Sequence, residues 1–338
     1  KDIKYICNYC KRRSDENHPL IKLCVGICLK QLRADSSAYV SKAWAQERRP
    51  KISLVARWIP RETAKSFGWL SKIMAETYNN HLLITAKTEE AAARARTKAK
   101  MLFRRTVSEL NKYLDTPQIK QCDGEWSNIS FPRLTSVTMR RQSKALRNVD
   151  AKGEQRSFLE DRVACAKKFS EYIGTLKKTG KEVKGKRVSV IDFVKDALDA
   201  FRSGDAEQRF ILNSQWRDSS SDTGELPNMI AMVDTSGSMT CDNNVPLHSA
   251  IGLGCRVAEK SRLGRRVMTF SSEPRWINLD STPDLTDMVE KIHSDGDWGL
   301  NTNFTAALQL ILDAICERGL KAEEVEDMVL VILSDMQI

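Results

Sequence analysis

The residues best suited to chemistry lie in one stretch, Met229-Ile230-Ala231-Met232-Val233-Asp234-Thr235-Ser236-Gly237-Ser238-Met239. Five apolar residues lead into a carboxylate, and two serines follow at alternate positions. An apolar run without alternation predicts a strand buried on both faces, as in a parallel sheet. Asp234, Ser236 and Ser238 then occupy the loop leaving its C-terminal end, where ligands bind in open α/β sheets. One carboxylate and two hydroxyls are hard oxygen ligands, too few for a closed cage. They suit a Mg²⁺ ion that keeps waters and takes a further ligand from a partner. The competing reading is a turn with an Asp or Ser helix cap.

The Asp-x-Ser-x-Ser pattern behind an apolar strand resembles the metal-ion-dependent adhesion site of von Willebrand factor A domains. The resemblance implies a threonine from a second loop and an aspartate from a third. Gly299-Leu300-Asn301-Thr302-Asn303 opens a helical pattern (Phe304, Ala307, Leu308, Ile311, Ile315), which points to Thr302. Met328 to Leu333 reads as a second buried strand and ends in Ser334-Asp335, which points to Asp335. By resemblance, Ser236, Ser238 and Thr302 hold Mg²⁺ or Mn²⁺ directly or through water. Asp234 and Asp335 then act mostly at one remove from the ion.

The elements that must position these groups follow from periodicity. Pro246 begins a helix with small residues Ala250, Gly254 and Ala258, suited to close packing on a sheet. Arg266 to Phe270 and Arg275 to Leu279 read as strands, and Leu285 to Ile292 as a helix. The resemblance implies an α/β, Rossmann-like A domain over 228–338, incomplete at its C-terminus. Upstream, helical spacing covers Leu20 to Arg33, Ser36 to Glu47 and Ser53 to Arg61, where Pro60 ends or caps a helix. Further helices are expected over Phe67 to Thr77, Glu89 to Leu114, Leu134 to Arg147, Glu160 to Leu176 and Val190 to Phe201. Successive helices with mostly short loops suggest an all-helical solenoid of HEAT-like pairs over 1–202. Residues 203–227, with Gly204, Ser219 to Ser221, Gly224 and Pro227, read as a connector holding Trp216. The chain is expected to be a fragment cut at both ends.

The formal charge of +10 conceals a division. From Leu226 onward there are 9 Lys/Arg and 17 Asp/Glu, a formal −8. Residues 1–225 hold 45 against 27, a formal +18. Such a basic part suggests a polyanionic partner, or docking onto the acidic part. Three clusters could neutralise phosphates without reading bases. Arg94, Lys98 and Arg105 share one side of a helix. Arg140, Arg141, Lys144 and Arg147 project from another. Lys177, Lys178, Lys181, Lys184, Lys186 and Arg187 lie on a glycine-bearing loop. Trp44, Trp58, Trp69 and Trp126 could stack on bases. Trp58 and Trp69 sit in apolar patterns that favour core packing.

Nine cysteines, an odd number in a long chain, read as reduced thiols. Cys7-x-x-Cys10 and Cys24-x-x-x-Cys28 invite a zinc reading. Their flanks keep helical spacing, so buried thiols between helices are expected. The expected location is intracellular, cytoplasmic or else nuclear. No apolar run approaches membrane-spanning length. The four histidines lack obvious Ser/Asp partners and no phosphate-cradling glycine loop appears, so no catalysis is expected.

A helical solenoid followed by an A domain resembles the Ro/TROVE ribonucleoprotein architecture. There is a closer resemblance to domain-of-unknown-function family 2828 of plants, fungi and large DNA viruses. Ser53 to Leu70, Ser108 to Met139, Asn213 to Met239 and Glu326 to Ile338 carry it. The first resemblance implies a non-enzymatic RNA-binding protein that holds small or structured RNA through phosphates. The alternative is a metal-dependent scaffold that takes a carboxylate from a partner protein, without nucleic acid.

Overall fold

The computed structural model describes residues 2–41, 51–262, 264–270, 272–296, 303–317, 319 and 321–335. The chain forms two compact units, residues 1–125 and 126–338. The first is helical throughout its described residues. It comprises α1 (Asp2–Arg13), α2 (Pro19–Val40), α3 (Val55–Trp58), α4 (Gly68–Tyr78), α5 (Asn80–Ile84), α6 (Glu89–Leu114) and α7 (Pro117–Asp123). Helix α6 is the longest element, and α2, α3, α4 and α5 pack on it. Thr88 caps its start through Ala91 N, and two glutamates occupy its first turn. The two helices expected over 20–33 and from 36 onward are one helix, α2. Residues 42–47 of that expectation, and Trp44, lie outside the described residues.

Cys7, Cys10 and Cys24 are buried in the core of this unit together with Leu29, Leu32 and Phe103, and Cys28 packs against it. Burial, with Cys24, Cys28 and Cys10 nearby, pushes the Cys7 thiol up to about 12. The cysteines are free thiols. Among the described residues no group of three or more His, Cys, Asp or Glu side chains could hold a metal ion.

The second unit begins with α8 (Ser136–Leu146), α9 (Glu160–Thr179), α10 (Val190–Ser203) and α11 (Ala206–Ser220). Then come β1 (Met229–Asp234), α12 (Cys241–Lys260), β2 (Arg266–Phe270), β3 (Arg275–Asn278), α13 (Leu285–Asp295), α14 (Phe304–Glu317), α15 (Ala322–Val325) and β4 (Val329–Leu333). The strands form one sheet in the order β3-β2-β1-β4. Strand β1 is parallel to β2 and β4, whereas β3 is antiparallel to β2. The sheet is therefore mixed rather than parallel throughout. A four-residue link between β2 and β3 is too short for a crossover and enforces the antiparallel pair. Strand β4 is half-buried rather than fully buried, because it forms an edge of the described sheet.

The expected small residues do set the packing of α12. A Cβ on Gly254 would come within 2.6 Å of Val233 Cγ2 in β1, and one on Gly252 within 2.3 Å of Val190 Cγ1 in α10. One helix thus approaches both the sheet and α10 closely. Between the β1 loop and the regular part of α12, Asp242, Asn243 and Asn244 all adopt left-handed backbone. Asp and Asn tolerate that region better than other side-chain-bearing residues.

The stretch expected as a connector over 203–227 is largely a helix, α11. Asp205 caps α11 by accepting from Gln208 N at 2.9 Å. Residues 211 to 216 are all buried, so the helix shows no apolar stripe. Its polar side chains are bonded instead. Asn213 Nδ2 donates to Thr286 Oγ1 at 3.0 Å, and its Oδ1 accepts from Thr286 N at 3.1 Å. Gln215 Nε2 donates to the Lys184 and Ser136 carbonyls. Trp216 Nε1 donates to Glu259 at 2.7 Å. Helices α10 and α11 share one core with β1, α12 and α13, so they belong with the sheet.

Asn213 stands in for an N-cap of α13, since Asp284 makes no capping bond there. Asn213→Ala should lower stability by about 1–3 kcal/mol, the cost of stranding a buried donor and acceptor. A thermal melt should show a fall of about 2–4 °C per kcal/mol in a unit of this size. A melt identical to wild type would show that the cap carries no weight.

Candidate metal centre and basic surfaces

The parallel pairing of β1 with β4 places Val233 beside Leu333. Both strands end at the same level, and their following residues meet. Asp234 is fully buried. Its Oδ1 accepts from Ser236 N at 2.8 Å, and its Oδ2 accepts from Ser334 Oγ at 2.5 Å. Ser236 Oγ lies 3.1 Å from Ser238 Oγ, and Ser238 Oγ donates to Asp335 Oδ1 at 3.0 Å. The chain runs from β1 to β2 and β3 on one side and then adds β4 on the other, so the strand order reverses between β1 and β4. That is the switch point at which open α/β sheets bind ligands.

Four of the five expected metal residues, Asp234, Ser236, Ser238 and Asp335, are therefore one connected group of oxygens. Thr302 lies outside the described residues. The donor set of two carboxylates and hydroxyls is hard and incomplete, which fits Mg²⁺ or Mn²⁺ with waters retained. Asp234, buried and bonded on both oxygens, is built to orient the loop. Ser238 and Asp335 are exposed and can face an incoming ligand. Sequence reading missed Ser334. Its signal was its place between the apolar run of β4 and Asp335, where a hydroxyl reaches the neighbouring strand end.

The three basic clusters have different environments. On α6, Arg94, Lys98 and Arg105 are exposed, with Arg105 paired to Glu109 at 2.9 Å. That pair is itself exposed and weak, so it leaves the guanidinium accessible. On α8, the expectation of four phosphate contacts needs correction. Arg140 bonds Asp196 through two nitrogens and reaches Asp192 at 3.0 Å. Arg147 grips both oxygens of Asp205 at 2.8 and 2.7 Å, with its side chain 8% exposed. These two arginines join α8 to α10 and α11, leaving Arg141 and Lys144 as the exposed members. In the third cluster all six side chains are exposed. Lys177 sits 4.5 Å from the Phe210 ring centroid, Lys184 donates to the Pro132 carbonyl, and Lys186 pairs with Asp222 at 2.7 Å. Lys177 and Lys178, expected on the loop, lie instead in the last turn of α9, and the loop that carries the other four is pinned by Val183 N to Ser214 Oγ and by Gly185 N to Asp218, both at 2.7 Å. Lys178, Lys181 and Arg187 make no ion pair among the described residues.

The structural division places the basic excess in the first unit and leaves the second nearly neutral. Residues 1–125 carry 25 Lys/Arg and 13 Asp/Glu, a formal +12, whereas 126–338 carry 29 and 31, a formal −2. Of the candidate stacking tryptophans, Trp69 packs against the core of the first unit. Trp58 is 39% exposed, and Lys4 Nζ lies 5.8 Å from its ring centroid. Trp126 is covered by Arg162, 3.7 Å from the ring centroid.

Comparison with known proteins gives two matching family models. Domain of unknown function (DUF2828) matches residues 9–221, and Domain of unknown function (DUF7788) matches residues 228–338. Uncharacterized protein L728 of Acanthamoeba polyphaga mimivirus is 27% identical over 294 residues, covering 85% of this chain and 46% of the relative. The chain thus spans about half the length of the curated relative it matches. No solved structure matches. Among the described residues no helix is long and apolar enough to cross a membrane.

Two outcomes follow from this geometry. Excess Mg²⁺ should raise the melting temperature of the wild-type chain by binding the folded state alone. Ser238→Ala and Asp335→Ala should abolish that rise, and an undiminished rise in both would remove the site from this loop. The Arg147 bonds hold the Asp205 carboxyl below its ordinary range. A depressed carboxyl stabilises the fold above the ordinary aspartate pKa of about 3.9, and that stability disappears as pH falls through the depressed value. Arg147→Ala should cost about 3 kcal/mol at neutral pH, the low end for breaking a buried pair. Denaturant melts across pH 2–6 should also lose part of their acid slope, roughly within the span of ordinary carboxyl titration.

Proposed function

The chain belongs to the DUF2828 family, and from that premise we propose that it is a non-enzymatic RNA-binding protein of Ro-like type. The proposal takes the helices as HEAT-like, TROVE-like pairs and the sheet with its helices as a von Willebrand factor A domain. The observation that carries it is the charge of the first unit. A formal +12 over 125 residues, with Arg94, Lys98 and Arg105 exposed along α6, is an electrostatic footprint for phosphates. Arg141, Lys144, Lys178, Lys181 and Arg187 would supply further contacts. Contacts of this kind hold small or structured RNA without strong sequence preference. The A domain would hold Mg²⁺ or Mn²⁺ through Ser236, Ser238 and Thr302, with Asp234 and Asp335 behind them. A cytoplasmic or nuclear location accords with the free thiols.

A second reading rests on the exposure of Ser238 and Asp335. An ion there would remain open to a carboxylate from a partner protein, and the chain would act as a scaffold without nucleic acid.

Single-stranded RNA should bind at micromolar concentration or tighter at low salt, with affinity falling steeply as salt rises. Arg94→Ala, Lys98→Ala and Arg105→Ala combined should weaken all sequences alike and flatten the salt slope by up to ~0.7 per lost contact. Asp234→Ala should leave bulk RNA affinity nearly unchanged. Filter binding that shows unaltered affinity in the α6 triple variant would shift the assignment to the protein scaffold.

A further inference from the structure

The first unit holds a cavity of about 230 Å³ that lies apart from the basic face of α6. Four helices line it. Leu70 and Met74, one turn apart on α4, form its inner end and are almost completely buried. Ile3 of α1, Cys28 of α2 and Val55 of α3 form its sides, with Ile59 just beyond α3. Leu54 and Trp58 are 50% and 39% exposed, which places the opening on their side.

The wall is fixed before any guest arrives. Ser53 donates to the buried Asp35 through its amide at 3.1 Å and its hydroxyl at 2.5 Å. Ser53 Oγ also accepts from Val55 N at 3.2 Å, and Asn111 Nδ2 holds the Ala56 carbonyl at 3.1 Å. Walls tied in this way cannot close inward to recover the contacts that an empty cavity lacks.

One lining residue brings charge to the opening. Lys4 lies beside Trp58, with Nζ 5.8 Å from its ring centroid and 5.4 and 5.0 Å from those of Tyr5 and Phe67. Aromatic rings attract an ammonium but leave its three N–H donors without a strong acceptor. Among the described residues Lys4 makes no ion pair and no hydrogen bond. Arg57 adds a second cation, 5.7 Å from the Trp58 centroid. The Asp35 carboxylate sits behind Ser53, with its oxygens bonded to Ser53 and Gln31. It makes the mouth, not the interior, the place for a negative group.

An apolar interior under a cationic rim suits a guest with an apolar body and one anionic end. An apolar cavity of ~150 Å³ takes a benzene molecule, so this larger one suits a chain of roughly eight carbons. Apart from Lys4 and the Cys28 thiol, the lining offers a sugar or a base only the Ser53 hydroxyl, which is already bonded.

We propose that this cavity binds a medium-chain monocarboxylate, with the tail against Leu70 and Met74 and the carboxylate at the Lys4 ammonium beside Trp58. The site is independent of the RNA and metal assignments, since it shares no residue with either.

The probes are sodium octanoate and, at the same chain length, 1-octanol, added to the intact chain at concentrations below self-association. The ε-methyl resonance of Met74, assigned by its loss in Met74→Leu, should shift saturably with octanoate. Hexanoate should bind roughly tenfold more weakly, since each buried methylene is worth about fourfold. Lys4→Gln should weaken octanoate about fivefold, the upper end for a partly exposed ion pair, and leave octanol unchanged. Misfolding cannot imitate that difference, because a collapsed cavity loses both guests. A Met74 resonance that never saturates overturns the proposal, as does hexanoate binding as tightly as octanoate. Octanoate affinity unchanged in Lys4→Gln, or octanol affinity lowered equally, overturns the placement of the carboxylate and with it the proposal.

Discussion

The second unit depends on satisfying the buried polar side chains of α11. Asn213, Ser214 and Gln215 are consecutive, buried and unable to reach water. Each must find a partner at a fixed distance, and the partners lie on separate elements. Asn213 fixes the start of α13, Ser214 fixes Val183, and Gln215 fixes Lys184 and Ser136. An apolar helix in this position could slide or rotate with little loss, whereas these bonds admit one placement. Trp216 extends the constraint to α12. Its indole donates to Glu259, and Arg256 lies 3.6 Å from its ring centroid. From α12 the constraint reaches the sheet, through the close approach of Gly254 to Val233. Val233 immediately precedes Asp234, so the position of the oxygen cluster is set by a helix that contributes no atom to it.

Charge serves different ends in the two units. In the second, arginines of one element meet carboxylates of another: Arg140 with Asp192 and Asp196, Arg147 with Asp205, Arg209 with Asp287, and Arg217 with Glu182 and Asp284. Several of these groups are partly withdrawn from water, where a missing partner is costly. In the first unit the α6 pairs Arg96–Glu89 and Arg105–Glu109 are exposed, and Lys100–Glu62 is partly so. Counting charge by sequence segment merged these cases. Within 126–225, Arg140, Arg147, Arg209 and Arg217 are engaged in bonds between elements, whereas Arg141, Lys144 and the basic residues of 177–187 stay exposed, as do Arg94, Lys98 and Arg105 of the first unit.

Sequence pattern disclosed those elements whose burial is one-sided or uniform and apolar. Helix α6 begins and ends where its spacing places it, and β1, β2 and β4 emerge from short apolar runs. Helix α11 escaped because its buried face is polar and wraps the whole helix, which removes the 3.6-residue stripe. Ser203, Gly204 and Ser219 to Ser221 at its ends then strengthened the reading of a connector. The antiparallel β3 was legible in principle, since four residues cannot carry a crossover. The metal loop was legible because its oxygens are local in sequence. Asp335 required the resemblance, and Ser334 required the register of β1 against β4.

The same distinction separates the arginines of α8. Arg140, Arg141, Lys144 and Arg147 look alike in sequence, since helical spacing places all four on neighbouring faces. What divides them is the capping geometry of the next helices. Asp205 already serves as the N-cap of α11, so its carboxylate is fixed before any side chain approaches. Arg147 can then close both of its nitrogens on a rigid acceptor, the bidentate geometry for which a guanidinium is preorganised. Lys144, three residues earlier, carries a single ammonium with no such fork and remains exposed. A basic residue is therefore available to an external phosphate only where no fixed carboxylate lies within its reach. By that criterion α6 presents the more accessible anionic surface complement, because its acidic neighbours, Glu89 and Glu109, are themselves on the exposed helix face and hold their partners loosely.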